Sequence, residues 1–179
     1  MTMQAPALDL RYPIGHFEYR QPFSEQERAE KIRDIELCPV KVRSAVAGLN
    51  ESQIDTPYRD GGWTVRQTVH HMADSHINSF IRFRFALTED NPMVKPYNEK
   101  AWAEIADSRE PVQVSLQLLE ALHQRWVVML KSFTPDQWKR TMTHPEVGVM
   151  TLDRTVGLYS WHSRHHVAHI TELRKRMGW

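Results

Sequence analysis

Residues 161–173 read WHSRHHVAHITEL, with histidine at His162, His165, His166 and His169. If this stretch is helical, each residue advances about 100°. With His162 at zero, His166 falls near about +40°, His169 near about −20° and His165 near about −60°. His162, His166 and His169 then share one face with Tyr159 and Leu173. His162 and His166 stand at i and i+4, one turn apart. That spacing lets two imidazoles bind one metal ion, as in the HExxH helices of zinc enzymes. One helix supplies two ligands, so a third must come from elsewhere.

A second window offers it. VRQTVHHMADSH, residues 65–76, carries His70, His71 and His76. Seven of the chain's 10 histidines therefore lie in two short windows. A lone HxxxH is a weak signal, because most such pairs are solvated or structural. The clustering in two windows carries the metal reading, and facing helices of a bundle are a common place for such a site. Spacing does not choose among His70, His71 and His76. His76 lies on an apolar stripe and reads as a hydrogen-bonded core residue. His71 flanks that stripe beside Thr68, Ser75, Asn78 and Arg82, a polar side fit to line a cavity. His70 and His165 fall off the main faces and read as exposed or supporting residues. His123 reads as a helix-surface residue, and His16 and His144 lie in loops.

Outward from these windows the pattern is helical. Ser24 and Glu27 form a capping box ahead of SEQERAEKIRDIELCPVKVRSAVAGLN, in which Pro39 is expected to kink the helix or split it. DTPYRDGGW, residues 55–63, is a turn region. Thr64 and Gln67 form a second capping box, and a helix should follow to about Leu87. Residues 88–111 read as a long connection with a short helix around Glu99 to Ile105. A third long helix is expected from Pro111 to Phe133, then a short one begun by Thr134-Pro135. Residues 140–150, RTMTHPEVGVM, suit a small hairpin. The last helix should run from Thr151 to Met177, with Gly178 as its C-cap and Arg174, Lys175 and Arg176 in its final turn. Four long helices predict an all-α four-helix bundle, with a long connection between the second and third. Residues 1–22 are expected to form an N-terminal arm, and 23–179 a single domain.

Composition narrows the function. Among 179 residues the formal net charge is +1, and no Lys/Arg block stands out, which argues against an extended nucleic-acid surface. No apolar run approaches the roughly 18 to 20 residues that span a bilayer. MTMQAPALDLRYPIGHF does not read as a signal peptide. Cys38 is the single cysteine, so no intrachain disulfide forms, in keeping with a reducing, cytoplasmic setting. Trp63, Tyr97, Trp102 and Trp126 read as core aromatics.

The segments TPYRDGGWTVRQTVHHMADSH, NSFIRFRFALTE and GLYSWHSRHHVAHITELRKRMGW resemble the YfiT group of the DinB-like superfamily. The resemblance covers nearly the whole chain. It implies a four-helix bundle carrying one divalent metal on three histidines: His71, from HHMAD, and the pair His162 and His166. It implies His169 as a support for these ligands, a cytoplasmic homodimer, and a metal-dependent hydrolase acting on a small-molecule substrate. Related bundles are transferases of low-molecular-weight thiols such as bacillithiol, mycothiol or glutathione.

Three neutral imidazoles suit zinc, or nickel, and leave an open position of the kind catalytic zinc sites keep. Water there would be activated to attack an ester or amide. A thiol in the same position would ionise and attack a carbon electrophile. A third reading is a metal-stabilised scaffold without turnover. No general acid or base is assigned: Asp74, Glu172, Tyr159 and Ser163 are neighbours with no decided role.

Overall fold

The computed structural model describes residues 9–179. The first eight residues of the expected arm lie outside them. Among the described residues the chain forms α1 (Glu25–Val46), α2 (Glu51–Ile54), α3 (Val65–Thr88), α4 (Glu99–Trp102), a 3-10 turn (Ala106–Arg109), α5 (Val112–Lys131), α6 (Pro135–Trp138), β1 (Thr141–His144), β2 (Gly148–Thr151) and α7 (Leu152–Met177). Among the described residues no helix is long and apolar enough to cross a membrane.

The caps form where the sequence places them. Ser24 with Glu27, and Thr64 with Gln67, are complete capping boxes. Thr134 caps α6 with Pro135 behind it. Gly178 ends α7 at φ 71°, a left-handed conformation that glycine adopts without a Cβ penalty. The hairpin pairs Thr141 with Thr151 and His144 with Gly148. Pro39 does not split its helix: α1 is continuous through it. A proline has no N–H for the carbonyl four residues earlier, so Ile35 is left without its helical partner. That carbonyl accepts instead from His123 Nδ1 at 2.6 Å.

Cross-links give the helix directions. Between α1 and α7, Arg28 meets Asp153, Asp34 meets Ser160 and Ala45 meets Arg174. Both numbers rise together, so the helices run parallel. Between α3 and α5, His70 meets Ser115, His76 meets His123 and Phe83 meets Trp126, again parallel. α3 and α7 run antiparallel, with His71 against His166 and Ser75 against Tyr159. Each long helix thus has one parallel and one antiparallel neighbour. Because α3 and α5 are parallel, residues 89–111 return along α3, touching it through Arg82–Lys95, Gln67–Ala103 and His70–Glu110.

The core has two apolar halves. Ile35, Phe83, Trp126, Leu130 and Tyr159 lie in one. Val42, Val69, Met72, Leu119 and Ile170 lie in the other. On α3, α5 and α7 the residues between the two halves include His76, His123, His162 and His166. The segment before α1 lies on α7. Trp161 Nε1 donates to the Gly15 carbonyl, and the ring of Phe23 sits over Gly157, where an added Cβ would approach it to 2.5 Å.

Asp153, nearly buried, accepts from the Tyr19 hydroxyl at 3.0 Å, the Phe23 amide at 2.9 Å and Arg28 at 3.0 Å. Asp153→Ala leaves three donors without their partner, one of them a guanidinium. It should lower unfolding stability in urea by about 2–4 kcal/mol. It should also speed proteolysis within residues 9–23; unchanged stability and cleavage would show that this carboxylate does not hold the segment.

Candidate metal centre

His71 sits two turns into α3, and His162 and His166 lie one turn apart on α7, which faces it. One nitrogen from each ring falls in a group whose members lie within 4.8 Å of one another. Ring centroids are 5.4 Å apart for His71 and His162, 4.8 Å for His71 and His166, and 4.4 Å for the α7 pair. Donors on one tetrahedral zinc ion stand about 3.3 Å apart, so modest ring rotations close the gap. The turn before α3 brings Trp63 over His71, centroids 4.5 Å apart. Arg66, ion-paired to Asp55 and Glu51, ties that turn to the start of α3.

Burial keeps these rings uncharged. It pushes His71 down to about 4, from an ordinary value of 6.5, with nearby His169 adding a smaller effect. His162 and His166 fall well below their usual range, first from burial and then from each other's neighbourhood of imidazoles. A neutral imidazole presents a lone pair, and a proton does not compete for it at pH 7. The donor set therefore fits a divalent transition ion: three neutral nitrogens and no competing carboxylate in the group.

The other histidines divide. His76 is a fully buried core residue, hydrogen-bonded on both sides: Nδ1 to His123 Nε2 at 2.8 Å, Nε2 to His162 Nδ1 at 3.1 Å. His169 supports His166, with Nδ1 atoms 3.3 Å apart. The surface reading of His123 fails, and of the two readings of His70 and His165, exposed or supporting, the exposed one fails. His123 is 2% exposed rather than on the surface. The signal was present, since it continues the stripe Leu116, Leu119, His123, Trp126, Leu130 on α5. His70 is buried and bonds Ser115 Oγ at 2.7 Å and the Glu110 carbonyl at 2.9 Å. His165 is buried too, stacked on Trp161 and covered by Tyr12 from the segment before α1. Among the aromatics, Trp126 is core, whereas Trp63 walls the histidine site and Trp102 is 37% exposed.

Two cavities flank the cluster. One, of about 320 Å³, has His162, Ser75 and Tyr159 among its lining, apolar residues such as Phe17 and Leu158, and Arg82 and Arg154. The other, of about 720 Å³, includes Trp63, Gln67 and His166. Glu99 lines both. Partial burial, then the charge of Glu146, raises its pKa. Asp74, raised to about 6 by burial and by Asp107, lines neither.

A family model described as DinB superfamily matches residues 34–170. A chain from Bacillus cereus (strain 03BB102) named "Putative metal-dependent hydrolase" is 54% identical over 171 residues, covering 96% of this chain and 99% of its own. A chain of the same name from Bacillus anthracis (strain A0248) matches equally. The solved structure of YfiT from Bacillus subtilis, described as "a probable metal-dependent hydrolase with an unusual four-helix bundle topology", is 51% identical, with a TM-score of 0.93. The match covers 95% of this chain and 98% of that one.

The purified protein should hold about one zinc or nickel ion per chain by mass spectrometry, and both His71→Ala and His166→Ala should lose it. Full retention in both variants would remove these residues from the ligand set. The metal-free protein should also be acid-sensitive. Between about 4 and 6.5 the unfolded chain takes up protons that His71 and His123 refuse when folded. Stability therefore falls as pH drops through that window, and the melting temperature should follow it.

Proposed function

The chain belongs to the DinB superfamily, and on that premise we propose that it is a hydrolase using one divalent ion, zinc or nickel, held by His71, His162 and His166. The observation that carries this is a set of three neutral imidazoles from two facing helices, beside cavities with a polar floor. Three protein ligands are the mark of catalytic rather than structural zinc. When bound, the ion would act as a Lewis acid that makes water nucleophilic near neutral pH and polarises a carbonyl.

The chain's own groups have separate tasks. Tyr159, whose hydroxyl donates to the Ser75 carbonyl at 3.2 Å, and the Ser75 hydroxyl, 3.4 Å from His162 Nε2, form the polar floor. Phe17, Met142, Met150 and Leu158 exclude water from an ester or amide substrate. Arg82 and Arg154 favour negative charge as it develops. Glu99 is the carboxylate shared by both cavities, and its raised pKa suits it to take a proton from water.

With zinc restored, the protein should turn over members of an ester and amide panel without added thiol, and chelation should abolish this. Glu99→Gln should cut the rate by about 10²-fold with metal content unchanged. Activity that appears only when a thiol is added, consumed one for one with monochlorobimane, would replace hydrolysis by thiol transfer. A melting temperature raised by zinc, with no turnover in any assay, would leave a metal-stabilised scaffold.

A further inference from the structure

We infer that His76 with His123, and separately His169, are positioning residues: two imidazole chains, each ending on a backbone carbonyl, hold a proton on Nδ1 of His162 and of His166. The Nε2 lone pairs of both ligands are thereby turned to the metal. The inference rests on the metal reading above for its purpose, but not for its geometry.

The first chain begins at Ile35. Its carbonyl has no helical donor, because Pro39 stands four residues on. A carbonyl only accepts, so His123 Nδ1, at 2.6 Å, carries the proton. A neutral His123 then has its lone pair on Nε2. His76 Nδ1, 2.8 Å away, must donate to it, which leaves the lone pair of His76 on Nε2. That atom lies 3.1 Å from His162 Nδ1, which must donate in turn. His162 Nε2 keeps its lone pair; the Ser75 hydroxyl, 3.4 Å off, can turn its proton to the Tyr159 hydroxyl oxygen, 3.3 Å away, when a metal takes that lone pair. The second chain is shorter. The Arg11 carbonyl accepts from His169 Nε2 at 3.2 Å, so His169 Nδ1 accepts from His166 Nδ1 at 3.3 Å. His166 Nε2 is again free.

The assignment requires neutral rings. His76 and His123 are essentially sealed from solvent, and no carboxylate among the described residues hydrogen-bonds to either. A buried imidazolium without an anion is strongly disfavoured. Two other groups of possible ligands then lose their appeal as metal sites. Cys38, His76 and His123 lie within reach of one ion, as do His165, His166 and His169. Yet both ring nitrogens of His76, His123 and His169 are held by other imidazoles or by backbone carbonyls, whereas the Nε2 of His162 meets only a rotatable hydroxyl at 3.4 Å. Partners of this kind fix ring orientation and raise ligand basicity, and their loss typically weakens metal binding by 10- to 100-fold.

Long-range proton–nitrogen correlation spectra of the metal-free, nitrogen-15-labelled protein at neutral pH would read the tautomers directly. The expected pattern is Nδ1–H for His76, His123, His162 and His166, and Nε2–H for His169. Nε2–H on His162 or His166, or a fast average of both forms, would overturn the inference. This readout stands whether or not the protein takes up metal, so failure of the metal reading is seen separately, as absent zinc binding. A second arm compares His76→Leu, which breaks the chain, with His76→Gln, which can still accept from His162 and donate to His123. Zinc affinity by chelator competition should fall about 10- to 100-fold in the first and largely recover in the second. If His76→Leu does not fold, His169→Leu and His169→Gln repeat the comparison on the shorter chain. Equal affinity in a folded Leu variant and the wild type would refute a positioning role.

Discussion

Imidazole buried in the middle of a helical bundle is the constraint on which this architecture turns. Each neutral ring brings one donor and one acceptor, and an unmatched one costs about 1–3 kcal/mol in such surroundings. The side chains between the two apolar halves of the core are largely histidine, so the helices must meet where the nitrogens pair. His76 sets the register of α3 against α5 through His123 and against α7 through His162. α1 joins the same layer through a backbone atom, the Ile35 carbonyl. Pro39, which costs α1 a hydrogen bond, is also what frees that carbonyl. The loss in one helix is offset by satisfying a buried histidine of another.

The parallel pairing of α1 with α7 and of α3 with α5 has a second consequence. No two successive long helices are antiparallel neighbours that a tight turn could join. The chain between them must travel, and these travelling segments furnish the walls around the histidines. Residues 47–64 deliver Trp63, residues 89–111 deliver Glu99, and the hairpin delivers Met142 and Met150. The bundle holds the rings, while the connections shape what reaches them.

The four helices and their caps were legible because capping boxes and stripes of apolar residues are local signals. The pair His162 and His166 was legible for the same reason. His71 was separated from His70 and His76 by family resemblance rather than by spacing, and the structure places it against the pair. What escaped were long-range facts. His123 looked like surface because a single histidine carries no flag of its own, although its place in the stripe of α5 did. His165 reads as exposed or supporting because its cover, Tyr12, comes from a segment with no periodicity. His70 likewise reads as exposed or supporting because its partner Ser115 belongs to another helix. Pro39 reads as a kink or a split, since its compensation lies in a residue 84 positions further on.

The electrostatics of the site bear on its chemistry more than the ligand count does. A carboxylate ligand would cancel one charge of a divalent ion; three neutral imidazoles cancel none. An ion held here would keep its full charge in a region where burial weakens screening, and Arg82 and Arg154 add to the same field. Such a field stabilises an oxygen anion and a thiolate alike, so the ligand set does not choose between water and thiol as the nucleophile. The choice falls to the cavities. A water molecule needs little room, whereas a thiol must bring its whole carrier, with its own charges, into a space of about 320 Å³ or 720 Å³. Glu99 borders both. A carboxylate there would assist deprotonation of water, while Arg82 and Arg154 would attract rather than repel a carrier rich in carboxylates, so the room each nucleophile needs, not the charge of the walls, is what separates the two.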